Sequence, residues 1–371
     1  MEKEVITSKQ AITIMAMFMV GTALIHIVQS KADQDFWVAY IFVIIITLFV
    51  FYVYGRIISL FPQTNLLDIF KYLFGKIAGS IIYASYVFYA FTLGSIIPRH
   101  FTEYIQTTSL PETPQYAYAI CIILISIYFV KNGIETLGRW SMFSLPIIIF
   151  IFMFTIILSM HLFNINNLKP VFHSDFSLIA ENTLNAFSLP FGESVLFLLL
   201  LDSLQNGKKS VKVFYISMAI AVAMFLIALF RNILVLGIAN TKLLASPSLS
   251  AVSIIQITSF IERIEVIITI IFLICGMAKV TVCLLGACKG CAKLFKMDTD
   301  RLLAAPIGLF MLMCSLNFFE NSMHLLEWFN AYRIFFIPQQ IIFPLIAWIT
   351  AEFKVKRQKV KTRQDKKVRE G

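Results

Sequence analysis

The sequence predicts an all-α integral membrane protein of about ten spanning helices, built as two five-helix repeats of opposite orientation. Three observations carry that expectation. The chain is too apolar for water, it divides into ten long apolar runs, and two of those runs are interrupted at corresponding places. Of 371 residues, 59% are hydrophobic and only 14% are charged, whereas a soluble domain is about 45–50% apolar and about 25% charged. That balance excludes a water-soluble enzyme, a disordered chain and a nucleic-acid-binding domain.

The runs follow in order as Ala11–Val28, Trp37–Tyr54, Ile77–Ile97, Tyr116–Val130, Met142–Phe163, Leu178–Leu201, Val213–Ile238, Val266–Ala287, Leu302–Phe319 and Trp328–Trp348. Each is read as a helix, because lipid offers backbone groups no outside partner. The first run lacks a small-x-small cleavage site and reads as an uncleaved span. Orientation follows from Lys and Arg. With the N-terminus inside, the inner segments hold 23 of them and the outer segments six: Lys31, Arg99, Lys169, Arg231, Lys242 and Arg333. Arg263 and Lys279 stand apart from that count. Both termini are therefore expected in the cytoplasm. Trp37, Trp140, Trp328 and Trp348 all lie at run ends, where an amphipathic ring favours the interface. Ser246–Phe260 is less apolar and suits a short helix on the outer face, an extra span being the alternative. Nine Lys and Arg between Lys354 and Arg369 mark a cytoplasmic stop.

Symmetry organises the chain. Run 1 carries Gly21 within VGTALIHIV, and run 6, five runs later, carries LPFGES from Leu189 to Ser194. Paired interruptions of this kind point to inverted repeats with a binding site at the bilayer midplane. The expected division is 1–176 for the first repeat, 177–353 for the second and 354–371 for the basic tail. Pro190 lacks an N–H and Gly192 tolerates non-helical backbone, so the two together can unwind the helix. The freed backbone groups then need partners, which a polar ligand can supply.

Glu193 follows that break. A carboxylate at this depth is a functional candidate by default, able to meet an ammonium, carry a proton, pair with Lys279 or cap the unwound helix. Lys279 lies 13 residues into run 8, ten residues before Lys289, or about 15 Å along a helix. Either its stem snorkels toward the inner boundary or its amine lies inside the bundle, replacing a cation, pairing with Glu193 or holding a carboxylate. Glu262, Arg263 and Glu265, in IERIE, read as an outer gate or partner contact, or as a solvated helix start. Arg99 and Glu103 read as a surface i, i+4 pair. The five histidines show no metal-ligand spacing, the CxxC at Cys288 and Cys291 has no second pair, and there is no P-loop. No metal, cofactor or catalytic constellation is expected.

The same runs resemble a known family, the B subunits of the nutrient germinant receptors of spore-forming bacteria. That family is a branch of the amino acid–polyamine–organocation transporter superfamily with the leucine-transporter type of fold. The resemblance extends from about Val5 to Phe353. It rests on FNINNLKPV (Phe163–Val171), on PFGE (Pro190–Glu193), on IERIE (Ile261–Glu265) and on the basic tail. It implies a membrane subunit that senses a small nutrient germinant, such as an amino acid, sugar or nucleoside, in the inner membrane of the dormant spore. An integral A subunit and a lipoprotein C subunit would be its partners. The ligand would sit against the unwound parts of helices 1 and 6, faced by helices 3 and 8. The corresponding residues here are Gly21, Thr22, Ala23, Leu24, Gly94, Ser95, Phe191, Gly192, Glu193, Lys279 and Cys283. Two of them depart from the pattern. Ala23 stands where many relatives carry a second Gly, and Lys279 replaces what is often a small or hydroxyl residue.

Two other readings stand beside a receptor. One is a proton-coupled amino-acid transporter using Glu193 or Lys279. The other is a channel-like conduit for ions or water. An enzyme is not expected. Truncation after Lys361 leaves five tail Lys and Arg, so the truncated protein should reach the membrane in normal amount and orientation, as read by membrane fractionation and cysteine accessibility.

Overall fold

In the computed structural model, residues 5–23, 36–108, 112–168, 175–244, 246–255, 265–319 and 322–370 are described, and their regular structure is helical. The helices are α1 (Ser8–Ala23), α2 (Phe36–Leu60), α3 (Leu66–Phe74), α4 (Lys76–Thr108), α5 (Gln115–Asn132), α6 (Ile134–Ser159), α7 (Phe176–Ala186), α8 (Ser210–Leu236), α9 (Ile238–Leu243), α10 (Pro247–Ser253), α11 (Glu265–Leu294), α12 (Ala304–Asn317), α13 (Ser322–Ile337) and α14 (Phe343–Glu370). Seven segments among the described residues are long and apolar enough to cross a membrane. Runs 1, 6 and 9 complete the ten as α1, the interrupted segment 176–199 and the shorter apolar helix Arg301–Asn317.

The helices overrun the apolar runs. α4 continues 11 residues past Ile97 and α6 begins eight before Met142, because helices extend through the polar interface while hydropathy registers only the hydrocarbon part. Pro98 and Pro146 sit inside α4 and α6 without ending them, as neighbouring helices in lipid allow. The connection between runs 2 and 3 holds a further helix, α3, too short to register as a run. Its Leu66, Leu67, Ile69, Phe70 and Leu73 face inward. The Asn65 side chain caps it at the Asp68 N–H, 2.9 Å away. At its other end Lys354 Nζ donates to the Tyr72 and Leu73 carbonyls at 2.7 and 3.1 Å, a cation where the helix dipole is negative. The short helix expected within Ser246–Phe260 is α10, with Pro247 in its first turn; residues 256–260 lie outside the described ones. The basic tail is the helical continuation of α14.

The core is organised around α1 and α11. Residues Ile14 to Val20 of α1 are buried all round, the signature of a helix enclosed by others. α1 packs against α6, α8 and α11, and α11 packs in turn against α4 and α5. Helices α2 and α6 keep an apolar face outward. On α6 the outward residues are Phe143, Ile147, Phe150, Phe154 and Ile157, a stripe at helical spacing that only a lipid solvent accommodates. The chain start is stapled to the end of the interrupted segment. Ile6 N donates to Ser203 O at 2.9 Å and Gln205 N to Ile6 O at 3.0 Å, the isolated strand bridge of the described residues.

Close helix approach in lipid relies on small residues. Along α11 a Cβ on Gly276 would lie 2.5 Å from the Phe101 ring, and one on Gly290 would lie 2.3 Å from Val87. Gly290→Leu should therefore force α11 from α4 and destabilise the protein by about 1–3 kcal/mol. Thermal unfolding of the purified variant in lipid nanodiscs should show the lowered midpoint.

Candidate functional site

The sixth run breaks where its residues require it. The helix is regular through α7, opens over Phe187–Phe191 and tightens over Gly192–Leu199. Leu189 is extended, at φ −125° and ψ 114°, immediately before Pro190. Part of the unwound backbone is satisfied from within the chain. Gln340 lies in a π-helical turn, Pro338–Ile342, between α13 and α14. Its Nε2 donates to the Ser188 carbonyl at 3.2 Å, and its Oε1 accepts from Ser188 Oγ at 3.0 Å. A Cβ on Gly192 would lie 2.5 Å from that Oε1, so only glycine admits the amide to the break.

Glu193 and Lys279 meet beside it. Both side chains are 0% exposed, and Lys279 Nζ donates to Glu193 Oε2 as an ion pair. The ammonium also lies over the Phe18 ring, 4.8 Å from its centroid. The snorkelling alternative is thereby overturned: the stem does not run to the inner boundary, because a carboxylate and an aromatic face compensate the charge inside. The second carboxylate oxygen is held by a directional chain. Tyr332 donates to Glu193 Oε1 at 3.2 Å, its hydroxyl is 2.6 Å from that of Tyr89, and Gln340 Nε2 donates to Tyr89 at 2.8 Å. Since Tyr332 has one proton, given to Glu193, Tyr89 must donate to Tyr332 and accept from Gln340. Every donor in the chain points toward the negative charge. Helix packing adds Tyr54, which donates to the Gln340 carbonyl, and Tyr86, which donates to the Gln339 carbonyl at 2.7 Å.

The remaining expected residues divide by location. Phe191 and Cys283 are buried, and Ser95 donates to the Phe91 carbonyl at 2.9 Å. Gly94 marks a helix contact: a Cβ there would lie 3.0 Å from Cys283 Cβ and 2.9 Å from Met311. Gly21 lies in regular helix, where a Cβ would be 3.1 Å from the Cys275 backbone, so it seats α1 on α11 one turn before Lys279. Thr22 and Ala23 end α1, and Leu24 lies outside the described residues. Glu265 is the first residue of α11, while Glu262 and Arg263 lie outside the described residues. Arg99 and Glu103 are not on the surface: their side chains are 12% and 13% exposed, with Nε and Oε2 3.9 Å apart. Phe101, Thr102, Tyr104 and Ile105 at this end of α4 are buried as well, which a pairwise spacing rule does not register.

Sequence reasoning missed Phe18, Tyr89, Tyr332, Ser188 and Gln340. Gln340 had a signal, two amides behind Pro338 in an apolar run. The tyrosines and Phe18 had none, since a hydropathy count reads them as ordinary lipid-compatible residues. Among the described residues no group of His, Cys, Asp and Glu is arranged to hold a metal.

The sequence profile of the family described as spore germination protein matches residues 5–323. The chain belongs to that family. It is 29% identical over 362 residues to spore germination protein KB of Bacillus subtilis (strain 168), across 96% of this chain and 97% of the relative. To spore germination protein A2 of the same organism it is 25% identical, across 78% and 80%. Among solved structures it resembles Mhp1, a nucleobase-cation-symport-1 family transporter in a closed conformation with bromovinylhydantoin bound. That likeness has a TM-score of 0.67 at 12% identity, over 94% of this chain and 78% of that one. It shows the fold, the leucine-transporter type, and the apolar helices make the chain a multi-pass membrane protein.

Removing one member of a buried ion pair strands the other and costs about 3–5 kcal/mol, whereas replacing both is far milder. Glu193→Gln and Lys279→Met should each lower the unfolding midpoint strongly. The double variant should recover most of the loss, and a thermodynamic cycle of the four proteins in nanodiscs measures the coupling.

Proposed function

We propose that the protein is the B-type membrane subunit of a spore germinant receptor and binds a small nutrient where the sixth helix breaks. The observation that carries this reading is the Glu193–Lys279 pair, sealed at that break, in a chain whose family is spore germination protein. A carboxylate and an ammonium held together are complementary to a zwitterion. An amino acid can place its ammonium on Glu193 and its carboxylate on Lys279, replacing one neutral arrangement by another without stranding a charge. Gly21, Thr22, Ala23, Leu24, Gly94, Ser95, Phe191, Gly192 and Cys283 are the further residues assigned to this pocket.

The ligand acts by population. It stabilises one arrangement of the helices only by its differential affinity for the two states, and moving an equilibrium from 1:99 to 99:1 takes about a 10⁴-fold difference. The signal then passes to an integral A subunit and a lipoprotein C subunit, with Glu262, Arg263 and Glu265 as gate or partner contacts. The protein resides in the spore inner membrane with both termini in the cytoplasm. Its two inverted repeats are 1–176 and 177–353. The likeness to a transporter with an organic ligand bound supports one alternative, a proton-coupled amino-acid transporter using the same pair.

Purified spores of a deletion strain should lose germination in response to one nutrient class among single amino acids, sugars and nucleosides. Gly192→Leu should reproduce that loss while the protein stays in the membrane. Unchanged germination, with reduced amino-acid uptake in growing cells, would make the transporter the better reading.

A further inference from the structure

A second buried charge plays no part in the site above. Arg231, near the end of α8, is 1% exposed. Its Nε and Nη2 both donate to Asn232 Oδ1, at 3.0 and 2.8 Å, and Nη2 also donates to the Ser248 carbonyl of α10 at 3.1 Å. Asn232 Nδ2 in turn donates to Ser248 Oγ at 3.1 Å. Nη1 is buried with no hydrogen-bond partner among the described residues, and none of the ion pairs among them involves Arg231. The Tyr104 hydroxyl of α4 lies close to both Ser246 and the guanidinium.

The chemistry of this cluster is incomplete in one specific way. A guanidinium stays protonated in proteins, so burial does not discharge it. Asn232 Oδ1 alone accepts two of its N–H groups, on the edge of the guanidinium where a carboxylate would bind with two oxygens, yet an amide brings no negative charge. A buried charge without a counter-charge is strongly unfavourable. The hydrogen bonds to Asn232 and Ser248 orient the group and leave one donor nitrogen and the full charge unanswered among the described residues.

We propose that Arg231 is the donor of a small-anion site beneath α10, with Nη1 as its contact and a halide or small monocarboxylate as its ligand. Bound there, the anion neutralises Arg231 while Arg231 ties α8 to α10. The site is separate from the Glu193–Lys279 pair and does not depend on the receptor reading.

The test uses the full chain in nanodiscs and reads thermal unfolding by tryptophan fluorescence. Ionic strength is held constant while bulky gluconate is exchanged for chloride or for acetate. The wild-type midpoint should rise saturably with the logarithm of anion concentration, as linkage requires of a ligand that binds the folded state. Arg231→Gln should abolish the rise. Asn232→Asp, which supplies the missing charge in place, should abolish it too, with a midpoint at or above that of the anion-free wild type. Should Arg231→Gln fail to fold, Asn232→Asp decides alone. A flat wild-type response, or an undiminished rise in either variant, overturns the proposal. If the wild type is flat and Glu262→Gln or Glu265→Gln becomes anion-responsive, the chain supplies its own carboxylate and the free-anion site is overturned.

Discussion

A carboxylate and an ammonium held out of water dictate what surrounds them. Glu193 and Lys279 come from segments 86 residues apart, and each is tolerable inside the protein only because the other is present. Their meeting requires α11 to lie against the interrupted sixth segment. That in turn requires the close seats provided by Gly21 against Cys275, Gly276 against Phe101 and Gly290 against Val87. The helix packing and the buried charge are thus one constraint. Neither partner can move far without exposing the other to hydrocarbon.

The break in the sixth segment is built on the same logic. Pro190 and the extended Leu189 release backbone groups that lipid cannot satisfy. Gln340 answers with one amide, satisfying the Ser188 carbonyl and orienting the tyrosine chain that ends on Glu193. A helix near the end of the chain therefore holds both the unwound backbone and the carboxylate beside it. Through Gln340 and Gln339 the network joins the turn between α13 and α14 to Tyr54 of α2 and Tyr86 of α4.

Much of the fold was legible because lipid is an unforgiving solvent. Ten apolar runs, tryptophans at their ends and LPFGES at the sixth run follow from composition and local stereochemistry. Glu193 and Lys279 stood out for the same reason, as charges where charges are expensive. The short helix α3 and the full extents of α4 and α6 were less legible, since interfacial residues carry no strong hydropathy signal. Phe18, Tyr89 and Tyr332 were invisible as site residues, because an aromatic ring in a membrane is unremarkable until its neighbour is known.

The sequence by itself determined the solvent, the helices, the place of the break and the presence of Glu193 and Lys279 deep within two of the runs. These are local properties, set by side-chain transfer energies and by what proline does to a helix. Only the tertiary structure decided that Lys279 turns inward, that Gln340 occupies the space Gly192 leaves, and that Arg231 is buried with an amide where a carboxylate would neutralise it. Each of those outcomes depends on which surfaces meet across long stretches of chain. A lysine stem can reach in either direction, and the counter-charge that chooses between them is supplied by another helix.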